Sequence, residues 1–262
     1  MKLSLCLEML FTDRPFIERL ATASRIGYRA IEFWDWRDKD LPALADEAAH
    51  LGLTVAAMSG NRQHGLIDLD ATAKLIAEMD QVFAVAWELN CCHIMMLSDV
   101  LGDDGSVSPV STRAPEEKIE SMVENLRALA GRAETASVTL LLEPLNTALD
   151  HRGCFLNHSA PGVEIVRRVD SPRVKLLYDI YHMQIMEGDV IRTIRQDKDW
   201  IAHFHTGGVP GRHELDETQE LQWRSVCTAI ADLGYTGYVA HEFVPTRDPL
   251  TSLREAVALC DV

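Results

Sequence analysis

Short β-rich runs alternate with longer amphipathic stretches from one end of the chain to the other, and this alternation restricts the fold more than any other feature. Runs of strand character occupy 2–7, 29–33, 53–58, 92–97, 138–143, 174–179, 201–206 and 238–242, which makes eight. Between them, segments such as 15–26, 41–51, 71–89, 115–136, 161–169 and 221–233 carry apolar residues at helical spacing, several opened by Pro or preceded by Asp or Ser. Gly27, Gly52 and Gly234 stand just past such stretches, where a left-handed C-cap is wanted. Alternating βα units force parallel strands, and eight units of about 33 residues match the length of a closed barrel. A doubly wound open sheet that binds a dinucleotide would carry a GxGxxG turn after its first strand, and none is there. No Ser/Gly-rich linker or low-complexity tract divides the chain. The expected fold is therefore α/β, a (β/α)8 barrel forming one domain over 1–262.

Composition then limits the partners. The chain has 25 Lys+Arg against 40 Asp+Glu, a formal net charge of −15. A protein that wraps a nucleic-acid backbone needs clustered cations to displace counterions, so nucleic acid is not an expected partner. The six cysteines contain no CxxC pair and read as reduced, mostly buried thiols of a cytoplasmic protein. Glu8 interrupts the apolar N-terminal run, which does not read as a signal peptide. No stretch approaches the roughly 20 apolar residues of a membrane span, so no membrane partner is expected.

In a (β/α)8 barrel, chemistry sits at the C-terminal ends of the strands. Four successive strands end in a metal-type ligand: SVTLLLEP supplies Glu143, VKLLYD supplies Asp179, IAHFH supplies His205 and YVAHE supplies Glu242. A lone acid at a strand end is commonly the cap of the next helix. Glu143 resists that explanation, because it closes an almost purely apolar run and is followed by Pro144, so its charge needs a partner. His203 and His205 share one side of their strand; one of them can be a satisfied core histidine, and position favours His205 as the ligand. Three carboxylates and an imidazole suit a divalent ion such as Mn2+, Mg2+ or Co2+, with Zn2+ also compatible. Such an ion can hold two oxygens of one substrate and acidify the adjacent C–H, which is isomerase or epimerase chemistry.

The runs LLLEPLN, YDIYHMQIMEGD, HFHTGGVPGRHEL and VAHEFVP, with GYRAIEFW in the N-terminal half, resemble the hydroxypyruvate isomerase group of the xylose-isomerase-like TIM barrels. The resemblance implies one divalent metal on Glu143, Asp179, His205 and Glu242, with Glu143 and Glu242 doubling as the acid/base pair. It also implies substrate contacts from His182 and Arg212, and a homo-oligomer. In one respect the chain departs from the group: close hydroxypyruvate isomerases tend to read H-L-Q where this chain reads His203-Phe204-His205, as in the related ketose 3-epimerases.

The expected reaction interconverts hydroxypyruvate and tartronate semialdehyde through a cis-enediolate. One glutamate removes the C–H proton and the other returns a proton to the neighbouring carbon. An anionic substrate beside three acids needs a local cation, and Arg212 in the Gly-rich loop after the seventh strand is the first candidate. Trp34 and Trp36 are candidates for a wall that limits substrate length. The alternatives are a ketose 3-epimerase or 2-oxo-tetronate isomerase with the same site, a DNA-repair endonuclease on the same barrel, and a non-catalytic barrel that binds a sugar acid.

Overall fold

The computed structural model describes residues 1–262. Eight strands, β1 (Lys2–Cys6), β2 (Ala30–Phe33), β3 (Thr54–Ser59), β4 (His93–Met96), β5 (Thr139–Leu142), β6 (Val174–Asp179), β7 (Ile201–Thr206) and β8 (Tyr238–His241), pair in parallel in sequence order, and β8 returns to β1. This is the expected closed (β/α)8 barrel, with each strand edge satisfied by its neighbour. Around it lie α1 (Phe16–Ile26), α2 (Leu41–Leu51), α3 (Thr72–Glu88), α4 (Pro115–Ala136), α5 (Ser159–Val169), α6 (Ile180–Met186), α7 (Val190–Asp197), α8 (Trp223–Asp232) and α9 (Pro249–Cys260). No helix is long and apolar enough to cross a membrane. All six cysteines are free, and only Cys92 is not fully buried.

Local sequence explains the joints. Gly27, at φ 115°, ends α1 in a left-handed cap whose N–H reaches the Ala23 and Ser24 carbonyls, a conformation that a Cβ would oppose. Asp40 caps α2 through Ala43 N, and Pro follows inside the first turn.

The core has two unequal parts. A cluster of 61 buried residues fills the layer between strands and helices, whereas only Ala57, Met95, Leu141 and Leu177 form an apolar cluster inside the barrel. Those four belong to β3, β4, β5 and β6. The interior of β1, β2 and β7 is polar instead, with Ser4, Glu32, His203 and His205 all at most 1% exposed. A register shift at Ile31/Glu32 between β2 and β3, and another at Leu176/Leu177 between β6 and β7, adjust which side chains enter this interior.

Candidate active site

Each strand end delivers its acid for a local reason. Glu143 follows β5 with its N–H still bonded to the Met96 carbonyl at 3.0 Å, so its side chain keeps the inward phase of the strand. Glu242 follows β8 in the same manner, its N–H on the Thr206 carbonyl at 3.0 Å. Asp179 has both of the roles weighed for an acid at a strand end. Its Oδ1 caps α6 by accepting from Tyr181 N at 2.8 Å and His182 N at 3.3 Å, while Oδ2 faces His182 Nε2 and Arg212 Nη2, each at 3.4 Å.

The two histidines of β7 divide as their depth dictates. His205 Nδ1 lies 3.0 Å from Glu242 Oε2 and 3.9 Å from Glu143 Oε1, whereas His203 sits one layer deeper with its Nε2 at 3.1 Å from Glu32 Oε1. Glu32 Oε2 accepts from His205 Nε2 at 3.0 Å. That bond fixes the imidazole so that Nδ1 is aimed at the carboxylates, as an acceptor behind a histidine ligand does. Glu32 was not singled out from sequence. Its signal was a single acid within the otherwise apolar run Ala30–Phe33, on the same side of the strand as Trp34.

Glu143, Glu242, His205, His182 and Arg212 line one cavity of about 430 Å3 at the C-terminal mouth of the barrel. Trp34 also lines it and donates its Nε1–H to Glu242 Oε1 at 2.8 Å; Cys6 Sγ reaches the same oxygen at 3.4 Å. Trp36 packs against the core instead. Arg212, held at φ 55°, stacks over Tyr181 at 5.1 Å and places Nη2 2.6 Å from Glu242 Oε2. His182 Nδ1 is 2.7 Å from Asn146 Nδ2, and Asn146 in turn donates to Asp150.

Burial and neighbouring charge push the two glutamates apart. Loss of solvent, reinforced by the Asp179 and Glu242 charges against the opposing pull of His205, raises Glu143 to about 8. Burial would raise Glu242 too, but Arg212 and His205 more than offset it and hold that carboxyl well below its usual range. His205 is raised despite its burial, by Glu242 and Glu32. Burial, with Arg212 and His151, keeps His182 neutral by lowering it well below its usual value.

A divalent cation fits this donor set. Oxygens of Asp179 and Glu242 and a ring nitrogen of His205 lie within 4.8 Å of one another, and so do ligand atoms of Glu143, Asp179 and His182. His205 Nδ1 is buried and makes no hydrogen bond, although it faces carboxylates on two sides. A buried imidazole nitrogen without a well-aligned hydrogen bond, facing carboxylates, suits a metal ligand once its proton is given up.

Comparison with known proteins places the chain. The xylose isomerase-like TIM barrel family matches residues 20–261. A 2-oxo-tetronate isomerase of Cupriavidus necator is 32% identical over 251 residues, 91% of this chain and 91% of that protein. A Xenopus laevis protein named "Putative hydroxypyruvate isomerase" is 31% identical, covering 97% of this chain and 94% of its own length. A crystal structure described as an AP endonuclease, family 2, from Brucella melitensis superposes with a TM-score of 0.88 at 27% identity, covering 98% of both chains. The chain belongs to the xylose isomerase-like TIM barrel family.

Proposed function

We propose that the protein is a metal-dependent isomerase of a small hydroxy-oxo acid, with hydroxypyruvate and tartronate semialdehyde as the interconverting pair. The observation that carries this reading is the placement of Glu143 and Glu242 at the ends of β5 and β8, on one cavity, with Asp179 and His205 from the two strands between them. Relatives named for hydroxypyruvate and 2-oxo-tetronate isomerisation support the choice of reaction.

Glu143, Asp179, His205 and Glu242 would hold the divalent ion, of which Mn2+, Mg2+ and Co2+ suit the oxygen-rich set best. When bound, the ion polarises the substrate carbonyl and stabilises enediolate charge. The rest falls to the chain's own side chains. One glutamate takes a proton from C3 of hydroxypyruvate, giving an enediolate across C2 and C3; the other delivers a proton to C2, while the O3 proton passes to O2. Atoms balance without a co-reactant. Without the ion the two carboxyls differ in proton affinity, Glu143 raised and Glu242 lowered; a bound cation would hold both ionised, so the one that faces the C–H can take its proton.

His182 and Arg212 are proposed as contacts to substrate oxygens. Arg212 uses Nη2 for Glu242 and Asp179 and Nε for the Glu242 carbonyl, which leaves Nη1 for the substrate. Neutral His182 can donate without adding charge. Trp34 closes one wall and excludes water from the enediolate.

The cavity admits chains longer than three carbons, so the four-carbon 2-oxo-tetronate belongs in the test. The Mn2+-loaded protein should isomerise three- or four-carbon hydroxy-oxo acids and lose that activity on chelation. Turnover of neutral ketohexoses with none of the acids would replace this reading with a 3-epimerase. An endonuclease reading has the charge against it: a −15 chain with a carboxylate-lined mouth repels a phosphodiester backbone.

A further inference from the structure

We infer that Arg62 binds the carboxylate of the substrate and so selects small oxo acids over neutral sugars at this mouth. The inference rests on the reading of the site as an isomerase of hydroxy-oxo acids and specifies what holds the non-reacting end. Two arginines line the cavity, Arg62 and Arg212. Arg212 is committed to the floor, where its guanidinium bonds both Glu242 and Asp179 and neutralises them. Its charge is consumed before an anion arrives. An anionic substrate entering past three carboxylates therefore needs a second cation.

Arg62 has the requirements of that cation. Its side chain is 38% exposed and makes no hydrogen bond within the protein; its ion pair is Nε to Asp35 Oδ2 at 3.4 Å. Arg37 takes the other Asp35 oxygen, Oδ1, through N at 3.0 Å and Nη1 at 3.2 Å, so Asp35 engages Arg62 only through Oδ2 and only at Nε. Both Arg62 amino groups are thus left for a bidentate carboxylate.

The backbone beneath Arg62 is fixed more firmly than a surface loop requires. Glu78 on α3, only 4% exposed, turns its carboxylate to the loop after β3. It accepts from the N–H groups of Arg62 and Gln63 at 2.9 Å each and of His64 at 3.1 Å. From the other side, Asn61 bonds both the N–H and the carbonyl of Leu97, tying this loop to the end of β4. A preorganised anchor loses little freedom when it takes its ligand. Such fixing makes sense for a residue that must meet a carboxylate at a set distance from the reacting carbons.

The experiment compares wild type, Arg62→Gln and Arg62→Lys, each loaded with Mn2+. Two quantities are read: steady-state isomerisation of hydroxypyruvate, and calorimetric binding of hydroxypyruvate and of its uncharged counterpart, dihydroxyacetone. Arg62→Gln should raise KM and the Kd for hydroxypyruvate by about ten- to a hundredfold, with a much smaller fall in kcat. Dihydroxyacetone binding should be unmoved, and Arg62→Lys should recover part of the loss. Metal content should match wild type, which a collapsed mouth would not allow. Unchanged hydroxypyruvate affinity in Arg62→Gln overturns the inference while leaving the isomerase reading intact. Arg62-dependent binding of hydroxypyruvate without turnover does the reverse. A wild type that binds dihydroxyacetone as tightly as hydroxypyruvate overturns the inference as well.

Discussion

At the scale of single residues, the site is a contest between burial and charge. Glu143 accepts no hydrogen bond from the protein and has as opposite charges His205, at 3.9 Å, and Arg212, which acts less strongly, so desolvation wins and it keeps its proton to about 8. Glu242 loses solvent as well but gains Arg212, His205 and Trp34, and it stays ionised. If both are the proton-transfer groups, Glu143→Gln and Glu242→Gln should each lower turnover by at least about 10²–10⁴-fold at unchanged fold, measured by isomerisation rate and circular dichroism. Retained activity in either variant would sink the two-glutamate mechanism.

The same contest has a thermodynamic sign. In the metal-free protein the folded-state affinity of Glu143 for its proton is raised from 4.5 to about 8, so its contribution to stability is full below about 4.5 and is lost as pH climbs through about 8. Glu143→Gln has no such proton to lose. Chelated wild type should therefore destabilise over that window more steeply than the variant, in urea melts taken at successive pH values. Metal uptake near pH 7 should also expel close to one proton from Glu143, which calorimetry in buffers of different ionisation enthalpy would register.

Four strand-end residues were legible because a charge closing an apolar run is conspicuous. Glu32 and Arg62 were not, for different reasons. Glu32 is one acid in a four-residue strand, too short for its inward phase to stand out, and Arg62 lies in a loop, where no period tells direction.

At the scale of elements, the barrel's loops are held by buried carboxylates rather than by their own structure. Glu78 pins the loop after β3, and Glu214 ties the loop after β7 to the chain beyond β8 by accepting from Thr246 N at 2.8 Å, Arg247 N at 3.2 Å and Ser252 Oγ at 3.0 Å. Removing such an acceptor leaves several half-buried N–H groups without their protein partner. Glu78→Ala should cost about 3–5 kcal/mol, which for a domain of this size lowers Tm by roughly 5–20 °C in calorimetry. A shift of under 2 °C would mean that water replaces the carboxylate and the loop is not pinned.

The strands themselves were readable to within a residue or two, since their apolar runs stop abruptly at Gly, Pro or a charge. α6, α7 and α9 were not among the helical segments read from sequence. α6 is only 7 residues long and α7 only 8, each barely two turns, so neither displays a period of 3.6 over a usable window. What starts α6 is Asp179, which combines the cap and ligand roles weighed for an acid at a strand end.

At the scale of the whole molecule, the acidic excess has two locations with opposite consequences. Most of the 40 acids lie outside and keep the protein dispersed, whereas Glu32, Glu143, Asp179 and Glu242 lie within the barrel and its mouth, each at most 7% exposed. Against them stand the Arg212 guanidinium and the His205 imidazole, whose proton affinity Glu242 and Glu32 raise, so the acid-rich mouth favours a further cation. An ion bound only by the folded state adds about 2.7 kcal/mol at a hundred times its Kd, or roughly 5–10 °C in Tm for a chain of this length. Scanning calorimetry with saturating Mn2+ against a chelated control should show that rise in wild type. The doubly substituted Glu143→Gln, Glu242→Gln protein should show little of it, because two of the four proposed ligands have lost their charge. An equal rise in both proteins would place the stabilising ion elsewhere on the acidic surface. No rise in either would remove the metal from the mechanism.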